Sequence, residues 1–61
     1  MSYAYEMLEE RINKLSFKEV TKEEIASIFD DMEGELECTN ITESEFNTLS
    51  NKIIVRVLLN K

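Results

Sequence analysis

The sequence contains no histidine, no proline and no tryptophan, and only one glycine and one cysteine. Several of these absences remove a class of protein. Without histidine, nucleophilic catalysis would rest on Cys38 or on a serine beside a carboxylate or lysine, and no such spacing occurs. The adjacent pairs Glu23–Glu24 and Asp30–Asp31 point in different directions on a helix, so they do not converge on one substrate. The expectation is a chain that is not an enzyme and holds no cofactor. A lone Cys38 forms no internal disulfide and, with no histidine, no zinc site. Acids around it disfavour the thiolate, and its expected role is that of a small, partly buried residue. A calcium loop centred on Gly34 fails, because Phe29 would fall at the first ligand position and Asn40 at the twelfth.

No stretch approaches the roughly 18 apolar residues of a membrane span. The start, MSYAYEMLEER, lacks the basic and apolar regions of a signal peptide. A cytoplasmic protein with no membrane partner is expected. Sixty-one residues suffice for one domain, 1–61. A chain of this size buries only about 60% of the surface its unfolded state exposes, and ordering it costs roughly 1.5 kcal/mol per residue. With neither disulfide nor metal to compensate, oligomerisation is the remedy left. A homodimer is the default, since two-fold symmetry is the commonest closure.

What is present is acid, unevenly placed. The net charge of −6 divides into −1 over residues 1–20, −8 over 21–45 and +3 over 46–61, the last from Lys52, Arg56 and Lys61. A middle segment of that sign repels nucleic-acid phosphate and attracts basic surfaces.

Three helices are predicted, at about 3–15, 22–37 and 43–60. The third carries the clearest start signal. Thr42 and Glu45 form a capping box, and Ile41 and Phe46 a hydrophobic staple. Val20, Thr21, Glu24 and Ile25 repeat that arrangement for the second helix, as convergent capping chemistry rather than a repeat. Ser16 and Glu19 also fit a box, which would start that helix early. The core stripes are Ala4, Leu8, Ile12 and Leu15 with Tyr5; Ile25, Ile28, Phe29 and Met32; and Phe46, Leu49, Ile53 and Val57. Phe17 is expected to tuck into the core from the connector. Tyr3 and Met7 lie off the first stripe, capping the helix end or leaning on a neighbour, or else anchoring a partner. Gly34 either ends the second helix in a left-handed conformation or lies within it at a cost near 1 kcal/mol.

Ile54, Val55, Leu58 and Leu59 cover the faces of the third helix that its core stripe does not use. A helix apolar all round must be covered all round, so this surface is the expected dimer interface, with the third helix the central and most buried element. The alternative is two helices plus a C-terminal strand, because Ile53, Val55, Val57 and Leu59 alternate and β-branched residues favour that state. Such a strand would have to pair between subunits. Arg56, within this segment, either snorkels to water along its alkyl stem or pairs with an acid across an interface.

The acidic run Asp30, Asp31, Glu33, Glu35, Glu37 places carboxylates in the last turns of the second helix, where the macrodipole is already negative. Extended by Glu43 and Glu45, it is the candidate contact surface for a basic partner; otherwise it is a solvated face. Residues 21–29, TKEEIASIF, resemble the first helix of a helix-turn-helix domain. That resemblance implies DNA binding through a following helix bearing Arg, Lys, Asn or Gln. Residues 30–37 are instead DDMEGELE, a segment that phosphate repels. The preferred expectation is an acidic regulator of another protein, of the antirepressor, corepressor, inhibitor or DNA-mimic type, with a nucleic-acid-binding protein as target and no direct contact with nucleic acid. A phage origin would suit it. The competing expectation is a structural oligomerisation module whose acids only maintain solubility.

Overall fold

Three helices, α1 (Tyr3–Lys14), α2 (Lys22–Glu37) and α3 (Glu43–Leu59), make up the computed structural model of the chain, which describes residues 2–60. Lys61 lies outside the described residues. Each helix begins at a hydroxyl. The N–H of Tyr5 donates to Ser2 Oγ at 3.1 Å. Both predicted capping boxes close: Glu24 N–H reaches Thr21 Oγ1 at 3.2 Å and Glu45 N–H reaches Thr42 Oγ1 at 3.1 Å. In return, Thr21 N–H donates to Glu24 Oε1 at 3.3 Å and Thr42 N–H to Glu45 Oε1 at 2.9 Å. The Ser16–Glu19 segment is a turn, with Glu19 N–H donating to Ser16 O at 3.0 Å, so α2 does not start early.

The bounds of α2 are those read from the sequence, and of the two readings of Gly34 the structure takes the second. The helix runs through Gly34 and stops at Glu37. Its terminus is a Schellman motif: Asn40 N–H donates to Glu35 O at 2.9 Å and Thr39 N–H to Leu36 O at 3.0 Å. The left-handed residue that this motif needs is Thr39, at φ 59°, not the glycine. Cys38 caps the helix and is exposed, which corrects the expectation of partial burial. Two substitutions should stabilise the fold. Gly34 has no positive φ, and a Cβ there would meet no atom within 4 Å, so Gly34→Ala should gain about 1 kcal/mol. Thr39→Gly should gain about 0.5–1 kcal/mol by removing Cβ from a left-handed position. A rise in urea midpoint at unchanged slope is the expected reading for each.

The helices run up, down, up. Arg11 pairs with Asp31 and donates to Ser27 Oγ at 3.4 Å; Tyr3 and Ala4 lie beside Gly34 and Glu35 while Leu15 lies beside Glu23 and Glu24, so α1 runs antiparallel to α2. Lys52 reaches Glu9 and Arg56 reaches Asn13, so α1 and α3 run in the same direction. Between them lies one core of Tyr5, Leu8, Ile12, Ile28, Met32, Ile41, Leu49 and Ile53, ringed by half-buried residues that include Phe17, Phe29, Phe46 and Val57. Every apolar stripe read at helical spacing therefore faces inward. Residues 52–59 are helical, which excludes the C-terminal strand within this fold. The reason is periodic: only a 3.6-residue repeat brings Leu49, Ile53 and Val57 to one face. α3 packs against both other helices, and its outer face stays open.

Candidate functional site

Ile54, Val55, Leu58 and Leu59 are between 50% and 77% exposed. They continue a longer uncharged face. Ser44, Thr48, Asn51, Val55 and Leu58 follow one another at alternating spacings of four and three residues, which places them on one side of α3, and all are exposed. The charges of α3 lie elsewhere. Lys52 donates to Glu9 Oε2 at 2.7 Å. Arg56 donates to Asn13 Oδ1 at 3.1 Å, with its guanidinium carbon 5.7 Å from the centre of the Phe17 ring. Arg56 thus neither extends freely to water nor waits for an external acid; it closes the chain's own α1–α3 edge.

The Glu9–Lys52 pair carries a pH signature. Lys52's hydrogen bond lowers the Glu9 pKa and Glu9's raises that of Lys52. Tyr5, whose hydroxyl donates to Glu9 Oε2 at 3.2 Å, is raised first by burial and then by the Glu9 charge. Stability from Glu9 is present above the ordinary carboxylate pKa and lost as pH falls through its lowered value; that from Lys52 is present below the ordinary lysine pKa and lost as pH rises through its raised value. The difference in thermal midpoint between the native chain and Lys52→Met should therefore be widest near neutrality. It should shrink at both extremes, and a difference independent of pH would remove this pair from the stability of the fold.

The seven candidate acids divide in the structure. Asp31 is held by Arg11 across the α1–α2 seam. Glu35, half-buried, accepts from Asn40 Nδ2 at 3.1 Å, and Glu45 is occupied in the α3 capping box. Asp30, Glu33, Glu37 and Glu43 are exposed and, among the described residues, make no ion pair. Asp30, Glu33 and Glu37 recur at i, i+3 and i+7, so they form one row on the outer side of α2, opposite its buried Ile28 and Met32. α2 has no base in its last turn to offset them. The segment DDMEGELE is therefore the continuous second half of α2, with no turn after Phe29.

A furrow between α1 and α2 runs beside this row. Its widest part, 470 Å³, has Ala4 and Leu8 of α1 along one wall and the bare backbone of Gly34 on the other. Tyr3 and Met7 stand exposed at its edge. Asp30, Asp31 and Glu35 supply its acidic rim. Beyond Arg11, whose ion pair with Asp31 and hydrogen bond to Ser27 cross the seam, a separate hollow of 290 Å³ lies beside Leu15, Glu23 and Glu24. Among the described residues, no group of three Asp, Glu or Cys side chains is arranged to hold a metal ion, and no helix is long and apolar enough to cross a membrane. No protein-family model, no curated protein and no solved structure matches the chain.

Proposed function

We propose that this chain is a non-enzymatic, acidic regulatory protein of the cytoplasm that binds and modulates another protein through α2 and the start of α3. The observation that carries the reading is the outer row Asp30, Glu33 and Glu37, three exposed carboxylates at helical spacing near the unfavourable end of the helix dipole. A basic partner surface offsets both their mutual repulsion and the dipole. Nucleic-acid-binding proteins carry such surfaces, which makes a regulator or enzyme of that class the preferred target, blocked or modulated in the manner of an antirepressor or inhibitor. Nucleic acid itself is repelled.

The uncharged outer face of α3 supports a second element of the proposal, a homodimer formed through Ile54, Val55, Leu58 and Leu59. Because Lys52 and Arg56 are engaged within the chain, two such faces meet without opposing like charges. A homo-oligomerisation module with no regulatory target shares this element and differs in giving the acids no partner.

Asp30→Lys, Glu33→Lys and Glu37→Lys together separate the two readings, since none of these carboxylates makes an ion pair among the described residues. The regulator reading expects an intact fold, an intact dimer and a captured basic protein lost from the triple variant. Retention of that protein by the variant would contradict the acidic row as the contact surface, and capture of no protein but further copies of the chain would favour the oligomerisation module.

A further inference from the structure

We infer that the furrow between α1 and α2 is the docking slot for one basic amphipathic helix of the partner protein, which would add a fourth helix to the bundle. The inference rests on the acidic-partner reading above and specifies its geometry. From Tyr3 to Arg11 the α1 wall is about 12 Å long at 1.5 Å per residue, so it lies beside roughly two turns of a helix. Its chemistry is mixed in the way such a helix requires. Tyr3 and Met7 offer exposed apolar surface, with half-buried Ala4 beside them; methionine adapts its shape to varied apolar guests. Along the α2 side stand Asp30, Asp31 and Glu35, of which Asp31 is held by Arg11 and Glu35 accepts from Asn40. A helix with apolar residues at i, i+3, i+4 and i+7 and lysine or arginine on its flanks satisfies both.

Gly34 fits this reading. Its backbone needs no glycine, and local packing leaves the space for a side chain empty; that space is part of the furrow. A second copy of the chain is a poorer occupant. Its exposed apolar face on α3 offers no described base to the acidic rim, because Lys52 and Arg56 are engaged with Glu9 and Asn13. Arg11 is the resident counter-ion that an incoming base must rival for Asp31.

The test uses a synthetic helical peptide of about 14 residues, or ~21 Å, with leucines on one stripe and lysines flanking it. Its counterpart carries glutamates in place of the lysines. Titrated into the full chain at about 0.1 M salt, where the Debye length is ~10 Å, the lysine peptide should bind with a dissociation constant in the micromolar range and the glutamate peptide should not. Gly34→Leu, which fills the furrow and favours the helix, should weaken binding about tenfold or more at unchanged helicity, and Tyr3→Ala should weaken it less. Arg11→Gln should tighten it by unmasking Asp31. Native-like affinity in Gly34→Leu, with binding lost in the Asp30, Glu33 and Glu37 triple variant, would overturn the furrow and leave the acidic row standing. A native chain that binds both peptides alike would overturn the two together.

Discussion

Leu49→Ala is expected to unfold the domain at room temperature. Leu49 is fully buried in α3, in a core completed by Ile12, Ile28, Met32 and Ile53. Truncating a buried leucine costs about 2–5 kcal/mol through lost transfer energy and the cavity that remains. Chains are stable by roughly 0.05–0.15 kcal/mol per residue, so one of this length holds only a few kcal/mol in all. The loss is therefore comparable with the whole. Leu58→Ala, on the same helix but 61% exposed, should shift the monomer by no more than about 0.5 kcal/mol. Circular dichroism of both variants, read on dilute protein, makes the comparison. Equal destabilisation would mean that the two faces of α3 are not divided between core and surface.

The second large effect concerns the face that Leu58 belongs to. Ile54→Glu with Leu58→Glu should abolish self-association and leave helicity intact. In the proposed dimer, Val55 and Leu58 occupy the alternate seam positions that a paired helix fills, with the β-branched residue and the leucine in the order two-stranded pairing favours. A carboxylate in that seam would be buried opposite its own copy, where an unpaired charge is costly. The dissociation constant should rise by about a hundredfold or more, equivalent to ~2.7 kcal/mol. Light scattering across concentrations reads it. A double variant of the same mass as the native dimer would place the contact elsewhere on the chain.

Much of the fold was legible because its signals are local. Thr21 with Glu24 and Thr42 with Glu45 sit three residues apart and act on their own backbone, so spacing alone locates two helix starts. The apolar stripes have the same property, since a 3.6-residue period needs no knowledge of neighbours. The end of α2 at Glu37 was legible, but the residue that takes the left-handed turn beyond it was not. A sequence reader looks for glycine at a left-handed position, but here the polar C-terminal contact between Glu35 and Asn40 and the burial of Ile41 fix the turn, and Thr39 accepts the strain. Tertiary pairing was equally hidden. Nothing near Asp31 marks Arg11, twenty residues earlier, as its counter-ion, so the acidic run read as one uniform surface although the fold engages part of it. The furrow is hidden for the same reason, being made by α1 and α2 together. Tyr3 and Met7 gave its only trace, as bulky residues out of phase with their stripe. The exposure of Ile54, Val55, Leu58 and Leu59 followed from simple geometry: two short helices cannot surround a third.

The most direct measurement is capture from a lysate of the source cells with the tagged chain, washed first at low and then at high salt, with the retained proteins identified by mass. The expected result is one stoichiometric nucleic-acid-binding protein, held at low salt and released as screening shortens the reach of the α2 carboxylates. Recovery of nothing but further copies of the chain itself would contradict the regulatory reading and leave the exposed face of α3 as the working surface of the protein.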